Sequence, residues 1–170
     1  VTSTMIAISA PSVSLEGKGL WIIRSLPIPA KKVVGAKFAF HALVAVIPMA
    51  VFSAATVIVL KIPFLSAVLA VLFPVIAVML VDATGLYLDV KSPNLNWTSQ
   101  NVPIKQNSSV MVITLGGMGV FAVFAAIFFA VKGFMSPTAY LAVLTAVLAV
   151  ACAFMIYRLF GKGVKTFETL

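Results

Sequence analysis

One cysteine, one histidine and four acidic residues are all that this 170-residue chain offers to most active-site chemistry. Cys152 stands alone inside an apolar run, which excludes an intrachain disulfide and a thiolate metal cluster built from this chain. His41 alone cannot supply a histidine-rich metal centre, and no histidine follows a Ser or Cys elbow to activate it. The phosphate-cradling GxxxxGK[ST] pattern is missing, and Gly161-Lys162-Gly163 is only a glycine-lysine echo in a basic tail. The expectation is a chain that is not an enzyme, with no catalytic residue, metal or cofactor of its own.

What fills the chain instead is apolar. Hydrophobic residues make up 62% of it, charged residues 9%, and the mean hydropathy is +1.18. A soluble domain is about half apolar. The composition therefore predicts an all-α integral membrane protein, with about four transmembrane helices as two hairpins, preceded by an amphipathic cytoplasmic helix. The net charge of +8 would suggest nucleic acid in a soluble chain. Here the cations sit between apolar runs, where they read as topology signals, and no nucleic-acid partner is expected.

The spans are read at 36–60, 64–88, 110–131 and 139–157, with a long loop over 89–109 and a basic tail over 158–170. The first, 25 residues long, would extend about 37 Å as a helix, enough to cross a hydrocarbon core of about 30 Å with tilt. Residues 1–12, apolar and without a signal-peptide pattern, read as the end of a preceding span, so the sequence reads as a piece of a longer protein. Lys18, Arg24, Lys31, Lys32, Lys37, Lys91, Lys105, Arg158, Lys162 and Lys165 fall on one side of the four spans, Lys61 and Lys132 on the other. That asymmetry places the opening stretch, the long loop and the C-terminus in the cytoplasm of a multi-pass plasma-membrane protein. Two glycosylation sequons, beginning at Asn96 and Asn107, then lie on the side away from the modifying machinery and read as ordinary loop residues.

Residues 13–35 precede the first span and concentrate much of the charge. On a helix from 15 to 26, Leu15, Gly19, Ile22 and Leu26 share a stripe, with Trp21 and Ile23 beside it and Glu16, Lys18 and Arg24 largely elsewhere. Ser14 is the expected N-cap, and Pro27 and Pro29 end the helix. Such a helix lies along a membrane surface, with the lipid bilayer as its first partner.

Within the spans, His41 and Asp82 stand at matching depth when the first hairpin is reflected about Ile62. A buried acid in lipid requires a partner, water or the interface, and the expected partner of Asp82 is His41 or Lys37. Small residues form a second pattern: Gly119, Ala122, Ala126 and Ala130 on the third span, and Ala139, Ala142, Ala146, Ala149 and Ala153 on the fourth. In lipid, close backbone approach drives association, so these stripes are expected to face each other.

Two polar elements carry a family resemblance. Glu16-Gly17-Lys18, Trp21 and Arg24-Ser25-Leu26-Pro27, then Lys31-Lys32 and Lys37 entering a span, resemble the cytoplasmic element of permease subunits of type-two ABC exporters. Asp89, Lys91, Pro93, Leu95 and Trp97, followed by Lys105-Gln106-Asn107, resemble the loop pattern of bacterial members. Two prolines rather than one precede the basic pair, and such permeases usually have more spans. The resemblance implies a transmembrane permease that couples a separate ABC ATPase subunit to export, often beside a second permease subunit. It also implies that Glu16, Gly17, Lys18, Trp21, Arg24, Lys91, Trp97 and Lys105 contact that ATPase. The alternatives are an ion- or proton-coupled secondary transporter working through His41 and Asp82, or a non-transporting membrane scaffold.

Overall fold

A computed structural model describes residues 10–97, 108–131 and 133–170, apart from the Arg24 side chain. Residues 1–9 of the expected end of a preceding span, the Lys105-Gln106-Asn107 element, Lys132 and the sequon residues Thr98 and Asn107 lie outside the described residues. Among those described, all regular structure is helical.

A 3₁₀ turn, Ser14–Gly19, leads into a short helix α1, Leu20–Ser25. Four long helices follow: α2 Ala30–Leu60, α3 Phe64–Lys91, α4 Ser108–Val131 and α5 Pro137–Arg158. A π turn, Leu159–Gly163, carries α5 into α6, Val164–Thr169.

Proline punctuation sets several boundaries. Pro29 and Pro63 sit at the N-caps of α2 and α3 with φ −57° and −55°, and Pro137 opens α5 behind Ser136, whose hydroxyl accepts the Ala139 N–H at 3.3 Å. The turn between α2 and α3 closes on Lys61, in the left-handed conformation at φ 48°. Its N–H and that of Ile62 return to the carbonyls of Ile58 and Val57, both at 3.3 Å. Pro48 and Pro74 remain inside α2 and α3.

All four long helices are long and apolar enough to cross a membrane, so the chain is a multi-pass membrane protein. On α2 the large apolar side chains exposed to the surroundings begin at Phe40 and continue to Leu60. Those 21 residues span about 31 Å, close to the hydrocarbon thickness of about 30 Å. The helix nevertheless starts at Ala30, six residues before the span expected at 36, because the chain leaves Pro29 already helical and carries Lys31 and Lys32 on that first turn. Likewise α3 runs on to Lys91, beyond the expected end at 88.

These extra turns build a head outside the hydrocarbon. Its core joins Val13 and Leu20 from the opening segment, Val34 from α2, Leu86 and Val90 from α3, and Leu159, Val164 and Phe167 from the C-terminal segment. The segment read as a basic tail is thus a docked helix. Phe160 lies edge-on to Phe38 at 6.3 Å and covers Gly35, while Lys162 and Lys165 stay exposed.

Within the membrane α3 is central. It packs along both α2 and α5, and only lightly against α4. Near the short-turn end, the Ser66 and Thr138 hydroxyls lie 2.9 Å apart, tying α3 to α5.

Candidate functional site

The most highly organised polar arrangement lies at the head, where residues 10–19 cross the ends of α2 and α3. Asp89, near the end of α3, is fully buried. Its Oδ2 accepts the backbone N–H of Val13 at 2.6 Å and of Ser14 at 2.9 Å, and its Oδ1 accepts the Ser14 hydroxyl. Adjacent N–H groups turned toward one carboxylate form charge-assisted bonds, roughly twice as strong as neutral ones.

Ser14 connects this joint to the segment after α3. Its Oγ accepts the Asn94 N–H at 2.9 Å, and its carbonyl accepts the Trp97 Nε1–H at 2.7 Å. The indole then lies against Gly17. A Cβ built there would stand 3.0 Å from Trp97 Cε2 and Nε1, and Gly17 has φ 50° and ψ −129°, a region essentially restricted to glycine.

From the other side Lys37 of α2 closes the joint. Its ammonium pairs with Glu16 Oε1 and donates to the Ser12 carbonyl at 3.2 Å. Both members of the ion pair are largely buried, which makes removal of one partner more costly than for a surface pair.

This geometry corrects the amphipathic helix expected over 15–26. Gly17 breaks the helical path, only Leu20–Ser25 is α-helical, and Ser14 bridges Asp89 and Asn94 rather than capping a helix. Apolar residues still face outward on α1 and the link after it: Trp21 is 68% exposed, Ile22 51%, Leu26 47% and Ile28 48%. Exposed Lys18, Lys31 and Lys32 accompany them in the opening segment and on the first turn of α2, and Lys91 is exposed at the end of α3.

The residues assigned by resemblance to partner contact therefore divide. Glu16, Gly17 and Trp97 are joined inside the head, whereas Lys18, Trp21 and Lys91 are presented outward. The Arg24 side chain and Lys105 lie outside the described residues. Ser14, Lys37 and Asn94 were not assigned to the site; their bonds connect positions far apart in sequence and leave no local periodicity. The one available signal was Asp89, one of only four acids, at the end of an apolar run.

Two expected pairings differ in the structure. Among the described residues no hydrogen bond is seen between His41 and Asp82: the His41 Nδ1 has no hydrogen-bond partner, its ring lies edge-on to Phe40 at 5.7 Å, and Lys37 pairs with Glu16. Matching depth in a hairpin fixes height but not azimuth. Asp82 itself is buried on α3.

The small-residue seam is also not formed. Gly119, Ala122 and Ala126 are exposed on α4, as is Ala146 on α5; Ala142 and Ala149 are half-buried. The reason is that α5 turns its Thr145, Leu148 and Cys152 face inward and packs along α3. Helices α4 and α5 meet toward their connecting turn instead, where the Tyr140 hydroxyl donates to the Phe124 carbonyl at 2.5 Å and its ring lies 5.3 Å from Phe128.

No protein-family model, no curated protein and no solved structure matches the chain.

Proposed function

We propose that this chain is the membrane-spanning permease subunit of an ATP-driven exporter, and that a separate ATPase subunit docks on the head. One observation carries the reading. The two polar elements that resemble exporter permeases, over residues 12–37 and 89–97, interlock through Ser14, Asp89 and Trp97 into one joint. That joint holds α1 against the ends of α2 and α3. Trp21, with Lys18 and Lys91, supplies the outward contact surface.

A push on α1 passes through Leu20 into the head core, through Glu16–Lys37 into α2, and through Ser14–Asp89 into α3. Hydrolysis takes place in the partner, and this chain converts its closure into helix movement. In this reading the head, with its excess of cations, faces the cytoplasm, and the membrane is the plasma membrane.

The test is affinity purification of the full-length protein from its native membranes in mild detergent, comparing wild type with Trp21→Ala/Lys18→Ala. Both residues are exposed, so this variant is expected to fold normally while losing a co-purifying ATPase. An intact wild-type sample that brings down no ATPase overturns the reading, as does undiminished recovery with the double variant.

A further inference from the structure

We propose that the groove between α3 and α4 holds one acyl chain of a membrane phospholipid from the leaflet adjoining the head. This inference is independent of the exporter reading. The groove has a volume of about 420 Å³ and is walled by α3 from Phe73 to Thr84, by α4 from Val112 to Phe124, and by Leu148 of α5.

Its chemistry identifies the occupant. Every lining side chain except that of Thr84 is apolar, or is a glycine without a side chain, and the Thr84 hydroxyl already donates to the Leu80 carbonyl at 2.7 Å. A polar solute would find no free donor or acceptor there and would lose its hydration without replacement. Hydrocarbon loses nothing by entering.

Its position specifies the leaflet. The α3 wall covers 11 residue steps, or about 17 Å along the helix, and hydrocarbon depth on one side of a bilayer is about 15 Å. Phe73 adjoins Pro74, midway along the apolar part of α3, and Thr84 lies toward the head. The groove therefore runs from the membrane centre to the head-side boundary, along the direction of a lipid tail. Lys91, exposed at the head end of α3, favours an anionic headgroup above it.

Two glycines keep the groove open. A Cβ at Gly116 or Gly117 meets nothing within 4 Å, so a side chain at either starts into the open space an acyl chain would occupy.

The experiment uses the full-length protein in vesicles of phosphatidylcholine with phosphatidylglycerol, then extracted and delipidated in mild detergent for native mass spectrometry. Wild type is expected to retain one phospholipid per chain. Gly117→Trp is expected to lose that adduct, whereas Val59→Trp, on the exposed face of α2, keeps it. Gly116→Phe provides a second filling variant, and gel filtration confirms the folded state of each. Equal retention by wild type and both folded groove variants overturns the proposal. So does a wild type that retains no lipid, or a groove cross-linked to a second copy of the chain instead of to a lipid tail.

Discussion

Replacing Asp89 with Ala tests the joint at its most demanding point. The carboxylate accepts from the Val13 N–H, the Ser14 N–H and the Ser14 hydroxyl, and both Val13 and Ser14 are fully buried. Alanine leaves those buried donors without their acceptor. Stranding a buried donor costs about 1–3 kcal/mol. The hydroxyl can rotate, so the two backbone N–H groups set the scale, at about 2–6 kcal/mol for the site. Since 1.4 kcal/mol is a factor of ten, release of the opening segment from the head should become roughly 30- to 20,000-fold more favourable.

Hydrogen exchange followed by mass spectrometry reads this directly, in peptides covering residues 12–20 compared with peptides from the middle of α3. Exchange should accelerate in the former and stay unchanged in the latter, since loss of the joint frees the segment without unfolding the spans. Asp89→Asn keeps the shape but turns an N–H₂ toward one of the donors, so it should fall between wild type and Ala. If Asp89→Ala leaves exchange over 12–20 at the wild-type rate, the carboxylate does not hold the segment and the reasoning fails.

Gly17→Ala should be costly for a separate reason. It introduces a Cβ 3.0 Å from the indole and forces a non-glycine residue to φ 50°, ψ −129°, at about 1–3 kcal/mol of strain. The Trp97 fluorescence, isolated in a Trp21→Phe background, should shift to longer wavelength as the ring leaves its site; an unchanged spectrum and melting temperature would contradict this packing. Ala126→Leu should alter thermal stability by less than about 0.5 kcal/mol, because Ala126 is exposed on α4. A large loss of stability in that variant would restore the small-residue seam between α4 and α5.

How much of this was legible in the sequence depended on the range of the interactions involved. Long apolar runs bounded by prolines are local features, and they placed all four spanning helices to within a few residues at most ends. The start of α2 was missed because Lys31 and Lys32 look like loop residues, although on a helix projecting beyond the hydrocarbon their ammonium groups remain in water. The pattern around Trp21 suggested a continuous amphipathic helix because periodicity ignores Gly17, whose backbone conformation is dictated by an indole 80 residues further on. Small residues on α4 and α5 suggested a seam for a similar reason. Composition shows that a close approach is available to a helix, and the partner it takes depends on faces such as Thr145, Leu148 and Cys152 that pack on α3.

Packing is also distributed unevenly between the head and the membrane. Between helices in lipid no hydrophobic force operates, because the surrounding tails are as apolar as the side chains. Water does drive burial at the head, and there the fully buried Val13, Val34, Leu86, Val90 and Leu159 gather beside the Asp89 and Lys37 joints. Helices α2, α3 and the α5–α6 rod all end in that core, whereas α4 contributes no residue to it. The head core therefore ties the ends of α2, α3 and the α5–α6 segment to one another. Helix α4 is packed lightly on α3 and joined to α5 through Tyr140, so the α3–α4 groove lies at the least tightly packed of the contacts that α3 makes with the other long helices.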